Sequence, residues 1–414
     1  MEKILHIEEL VEHIVSEVTR PLPSRHNVSY SDLLSLTMVS NIFRRITKPY
    51  LYRSLVISPA IQEQLLRTMR ALPELSEHIQ AIFLARYPEP MGQLMCFVWR
   101  LPNLRTLDID FSSSELVDLA PVLKRLSITA LRLSSVEALH GEEDRADEWA
   151  FTNNSIQTLD ISFTQPHEVW EECYEFGRFA AVFRNLENLR IHSTGDEWPC
   201  TLNAPVFRCL VHAFRNAFQS TLRDFSFQYN DYTHASTYDG DESLSDTFDA
   251  RGLIKESHLE HLKVETNSLL RPMPSHTLRS LEIGISCLPS SLHTLYLRHE
   301  VDCGTLTPRE NNLMYSEEAQ CLSQLIKLTG RKSRFLGLQK VTLAVCLPVW
   351  FEEVAIRVIK VHARRAQVQL DVIFMSWFDY TSEDTFKSWP EYDIARDPRH
   401  PSYDPMTLRR RRDG

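Results

Sequence analysis

Glycine is scarce in this chain, 11 in 414 residues, and none falls in a G-x-G-x-x-G or G-x-x-x-x-G-K-[ST] arrangement. That absence removes the backbone cradle on which nucleotide phosphates are held. Gly330-Arg331-Lys332-Ser333 ends like such a loop but has no upstream glycine and carries its lysine in the wrong place. The 8 cysteines are dispersed at Cys96, Cys173, Cys200, Cys209, Cys287, Cys303, Cys321 and Cys346. No C-x-x-C pair or histidine at zinc spacing accompanies them, so they are expected as buried free thiols, with no metal and no cofactor. G-x-S-x-G and H-E-x-x-H are also missing, and the chain is expected to be non-catalytic. No apolar run approaches the length of a membrane span. The 45 basic and 55 acidic residues leave a net charge of −10, which disfavours nucleic acid or an anionic membrane as partner. Acidic residues after Met1 stand where a secretory signal needs an apolar stretch, so a cytoplasmic or nuclear protein is expected. The N-x-[ST] triplets at Asn27 and Asn153 are then chance matches.

What the chain does have is a recurring hexad: apolar, two polar, apolar, one polar, apolar. It occurs at Leu104/Leu107/Ile109, Ile156/Leu159/Ile161, Leu186/Leu189/Ile191, Leu222/Phe225/Phe227, Leu259/Leu262/Val264, Leu278/Leu281/Ile283, Leu292/Leu295/Leu297 and Leu338/Val341/Leu343. Chance placement would give roughly two such matches. Looser copies stand at Ile79/Ile82/Leu84 and Ile128/Leu131/Leu133. The last two apolar positions, two residues apart, share one face of an extended chain, so each hexad predicts a short half-buried strand. Helical periodicity fills intervals such as Glu115 to Leu126, Glu168 to Phe183 and Pro205 to Phe218. The fold expected is α/β, a stack of strand and helix units around a parallel, curved sheet. Spacing between hexads runs from 14 residues (Leu278 to Leu292) to 46 (Leu292 to Leu338), so the repeat is irregular. An ordinary α/β domain with leucine-rich strands is the alternative.

Residues 1–58 lack this grammar and are predicted to form a compact three-helix unit, followed by the repeats over 59–376 and a tail over 377–414. Ile7, Leu10, Val11, Ile14, Val15 and Val18 make one helical stripe, with Glu8, Glu9, Glu12 and Glu17 outside it. Thr19 to Tyr30 is expected as a loop. A second helix should start at Ser31 or Asp32, carry Leu33, Leu34, Leu36, Val39, Phe43 and Ile46, and stop before Pro49.

The runs Ile7 to Val15, Asp32 to Ile46 and Pro49-Tyr50-Leu51-Tyr52-Arg53-Ser54-Leu55 resemble an F-box, and the whole is similar to fungal-type F-box proteins with degenerate leucine-rich repeats. Here Ile7-Glu8 replaces the family's usual Leu-Pro opening, and the loop before Asp32 is longer than in the compact form. The resemblance implies the substrate receptor of an SCF ubiquitin ligase, in which the box docks on a Skp-type adaptor, and through it a cullin scaffold, while the repeats select an unknown protein substrate. Adaptor contact would fall to Ile7, Leu10, Val11, Ile14, Leu33, Leu34, Leu36, Val39 and Phe43, some of them internal core instead. A plain helical cap on the repeat stack, or a scaffold or inhibitor without ligase role, stays open.

Polar residues interleaved with the buried pairs would face the substrate. Those singled out are Asp108, Asp110, Asp160, Arg190, His192, Asp224, Lys263, Glu265, Glu282, Tyr296 and Arg298, of both signs, which suits a protein partner of patterned charge. Asp231 to Asp249 is expected as an acidic loop and Glu300 to Arg334 as an insert with a helix over Ser316 to Leu328. Val354 to Val361 should be helical and Val368 to Phe374 a closing strand. The terminal Arg409 to Arg412 run is expected as part of a solvated tail.

Overall fold

The computed structural model describes residues 8–15, 30–84, 93–110, 119–136, 149–163, 173–193, 211–228, 253–265, 288–299, 335, 337–346 and 353–375. The chain divides into two compact units, Met1–Ser134 and Ser135–Gly414. Ile7, the 278–283 hexad with Glu282, the acidic stretch 231–249, the 300–334 insert with its helix, and the 377–414 tail with its arginines lie outside the described residues.

The first unit opens with α1 over 8–15, α2 (Tyr30–Val39) and α3 (Asn41–Leu51). The single long helix expected from Ser31 to Pro49 is thus two. Ser40 is extended, and its hydroxyl accepts from the Phe43 N–H at 3.3 Å, so a capping serine starts a new helix where the old one ends. Pro49 does not stop α3; it sits in the last turn, where it removes one ladder bond. Tyr50 and Leu51 beyond it pack on a core of Val11, Val15 and Leu33, and this packing holds the turn. Glu8 and Arg45 form an ion pair between α1 and α3.

Next come β1 (Ser54–Ile57), α4 (Pro59–Ala71), a 3₁₀ turn (Pro73–His78), β2 (Ala81–Leu84), α5 (Gln93–Val98), β3 (Thr106–Asp110), α6 (Ala120–Leu123) and β4 (Ala130–Val136). Residues 54–57 are therefore strand, not part of a helical unit running to 58. Tyr52, Leu55 and Ile57 follow the hexad spacing, and Val56 in a polar spacer position hid it. Cys96 is free and exposed rather than buried, because Leu94, Met95 and Val98 take the inward face of α5 and leave position 96 outside.

The second unit carries β5 (Thr158–Phe163), α7 (Cys173–Ala181), β6 (Asn188–Ser193), α8 (Arg215–Ser220), β7 (Asp224–Gln228), β8 (His261–Glu265), β9 (Thr294–His299), β10 (Lys340–Cys346), α9 (Glu353–Ala366) and β11 (Gln369–Met375). The expected closing helix and strand are α9 and β11. Between them Gln367 adopts φ 59°, and the Gln367 and Val368 amides turn back to the carbonyls of Arg364 and Ala363 at 3.2 and 3.0 Å. This left-handed helix stop, more often occupied by glycine, delivers the chain into the last strand.

Described neighbours pair in parallel, β1 to β4 in the first unit and β5 to β11 in the second. Every hexad in the described residues lies on a strand, and equivalent positions face each other across each pair. In the second unit Leu159, Leu189, Phe225, Leu262, Leu295 and Val341 form one continuous row, nearly inaccessible to solvent. The register is set just before β2 to β4 and β6 to β10. There one carbonyl accepts two successive amides of the next repeat, as Glu187 O does from Arg223 and Asp224 at 2.9 and 3.0 Å, and Arg223 O from Glu260 and His261 at 2.8 and 3.0 Å.

Since Phe225 is a central member of this row and packs edge-on against Phe218 with ring centroids 5.0 Å apart, Phe225→Ala is expected to cost about 3–5 kcal/mol. Urea unfolding followed by far-ultraviolet circular dichroism measures it.

Candidate functional site

Alternation along each strand turns the hexad spacers to the face opposite the core. Register then assembles them into rows. In the second unit one row reads Thr158, Asn188, Asp224, His261, Thr294, Lys340, Gln369, and the next reads Asp160, Arg190, Ser226, Lys263, Tyr296, Thr342, Asp371. Of the substrate-facing candidates, Asp160, Arg190, His192, Asp224, Lys263 and Tyr296 are brought onto this face, and Glu265 and Arg298 are register partners on β8 and β9. Asp108 and Asp110 belong to β3 in the first unit.

Several of these side chains interact with each other across strands. Asp108 lies 3.7 Å from Arg132 and accepts from Ser134 at 3.4 Å. Asp160 lies 3.4 Å from His192 Nδ1. Lys263 Nζ stands 4.6 Å from the centroid of the Tyr296 ring, a cation–π contact. Lys340 reaches Asp371 at 2.6 Å. Arg190 is exposed.

A cavity of about 400 Å³ opens over β6 to β9, lined on its polar side by Arg190, Asp224, Ser226, His261, Lys263, Thr294 and Tyr296. His261 Nδ1 is 2.6 Å from Thr294 Oγ1, and its Nε2 is 3.9 Å from Asp224. Ser226, His261 and Thr294 were not among the residues expected from sequence. They occupy the same spacer positions as Arg190 and Asp224, so the alignment of hexads carried the signal, but nothing in their residue type distinguished them.

Burial raises the Asp224 carboxyl above the ordinary aspartate range, and Glu260 adds to this, while His261, Arg190 and Arg223 act against it. At Asp371 burial also pushes upward, but the hydrogen bonds from Lys340 and Gln369 and the Lys340 charge outweigh it, and the net value is lowered.

The helical segment divides the adaptor-contact candidates. Val11 and Leu33 are core, and Leu36 and Phe43 are half-buried against it. Leu10, Ile14, Leu34 and Val39 are exposed, at 60%, 37%, 56% and 64%. Met38, at 79% the most exposed large apolar side chain among the described residues of the segment, was not among the residues expected from sequence although it stands one turn from Leu34.

Among the described residues no group of histidine, cysteine, aspartate and glutamate is arranged to hold a metal ion, and no helix is long and apolar enough to cross a membrane. No family model matches the chain, and no curated protein matches it.

Two pH dependences of opposite sign are expected. The Asp224 value is raised on folding, so its contribution is fully present below the ordinary aspartate range and is lost as pH rises through the raised value. Asp224→Asn should therefore gain stability relative to the parent as pH rises from the ordinary aspartate range through the raised value. The Asp371 value is lowered, so its contribution is present above the ordinary range and lost as pH falls through the lowered value. Asp371→Asn should lose stability at neutral pH and match the parent in acid. Urea midpoints across pH read both.

Proposed function

We propose that this protein is the substrate-recognition subunit of an SCF-type ubiquitin ligase. The helical segment takes a Skp-type adaptor, and through it a cullin scaffold, while the polar face of the parallel strands takes a target protein. In this reading the segment is an F-box and the strands are irregular leucine-rich-repeat-like units of a solenoid. The chain performs no chemistry itself and works in the cytoplasm or nucleus.

One observation carries the proposal. After Val11, Val15 and Leu33 have made the local core, α1 and α2 still expose Leu10, Ile14, Leu34, Met38 and Val39. Leu34 and Met38 are four residues apart, and Leu10 and Ile14 likewise, so each pair shares a helix face. Apolar side chains left in water at such spacing lose about 25 cal/mol for each Å² that a partner would cover. A mere cap on the repeats would be expected to turn polar residues outward at these positions. The second unit supports the other half, because its polar face carries both charge signs in fixed register, a basis for selecting a protein by electrostatic complementarity.

Leu34→Asp with Val39→Asp is expected to abolish co-purification with a Skp-type adaptor, with circular dichroism unchanged because both residues are exposed. Leu33→Asp, by contrast, should unfold the helical segment, since it buries a charge in the core. Full adaptor capture by the Leu34/Val39 variant would overturn the assignment. A parent protein that never captures the adaptor would leave the strands as an interaction scaffold or inhibitor.

A further inference from the structure

In the cavity over β6 to β9, Ser226 stands between Arg190 and Lys263 in one polar row. Ser226 is 9% exposed, and its Oγ has no hydrogen-bond partner among the described residues. A buried hydroxyl of this kind is a standing cost, and an acceptor supplied by a ligand relieves it. Serine is also the smallest side chain of the row from Asp160 to Asp371, so the row dips there between two long cations. Adjacent strands are about 4.8 Å apart, which sets the Arg190 and Lys263 positions about 10 Å from each other on either side of the dip. Arg190 is exposed and makes no ion pair among the described residues, acting on Asp224 only at longer range.

We propose that this cavity is a subsite for one anionic side chain of the target, a carboxylate or a phosphoryl group. Its oxygen accepts from Ser226 Oγ and from the Arg190 guanidinium, and Lys263 supplies positive charge from the opposite side. Arginine suits the role because its planar fork meets either oxyanion with two parallel donors. Two carboxylates neighbour these cations, Asp160, the register partner of Arg190, which lies 3.4 Å from His192 Nδ1, and Asp224, whose value burial raises. The cavity volume of about 400 Å³ falls in the lower part of the range of about 300–1,000 Å³ typical of ligand pockets. The inference rests on the target-binding reading above and names the chemistry that the target must present.

Full-length protein is titrated, by fluorescence polarisation, against three labelled degenerate peptide pools that differ only in a central glutamate, phosphoserine or glutamine. At least one anionic pool should bind about tenfold tighter than the glutamine pool. A preference for glutamate identifies the carboxylate, and one for phosphoserine the phosphoryl group. Arg190→Ala and Ser226→Ala should each remove most of that preference, and Arg190→Lys should keep part of it. Equal binding of all three pools, or a preference that survives both alanine variants, overturns the subsite. Adaptor capture is measured on the same samples. Capture retained with no anionic preference defeats the subsite alone, and preference retained without capture defeats the ligase assignment alone.

Discussion

Register is the constraint on which the rest of this structure depends. Before β2 to β4 and again before β6 to β10 a single carbonyl accepts two consecutive amides of the next repeat, from Arg53 holding Gln80 and Ala81 to His293 holding Gln339 and Lys340. The doubled bond fixes where each strand begins relative to its neighbour. A slip of one residue would carry every apolar hexad member to the polar face, so the hydrogen bonds and the hydrophobic pattern enforce the same answer. The residues that do this are the first polar spacers of the hexads, whose side chains differ widely because only their backbone is required.

With register fixed, one operation builds both faces. Apolar positions stack into buried rows such as Leu159 to Val341, and the spacers stack into polar rows whose members come from residues far apart in the chain. The cross-strand ion pairs in these rows are half-exposed and contribute modestly to stability. Their greater effect is to hold side chains in place. Asp160 with His192, and Lys263 over Tyr296, are positioned by their neighbours, and Arg190 and Ser226 are left between them with donors to offer. Irregular spacing does not disturb this order, because the added length falls between strands.

The helical segment follows a different rule. Its core is small, so only some of its many apolar residues can be internal, and geometry makes the division. Val11 and Leu33 turn inward, while Leu34, one residue on, turns out. The break at Ser40 contributes to the outcome. By ending α2 and starting α3 it lets Phe43, Ile46, Tyr50 and Leu51 return to the core that α2 begins.

The strands were legible in the sequence because burial on one face of an extended chain imposes a period of two, which the hexads display directly. The closing helix and strand near the C-terminal end were legible for the same kind of reason. β1 was not, since Val56 filled a spacer with an apolar residue, and neither was the break at Ser40, because a serine inside a periodic apolar pattern does not announce whether it caps or merely faces solvent. Sequence by itself determined that the chain alternates strands and helices and which strand residues line the core, since local periodicity encodes both. Tertiary structure alone decided which spacers meet in one cavity and which apolar residues of the helices stay in water, because both depend on register and packing between segments that no local pattern records.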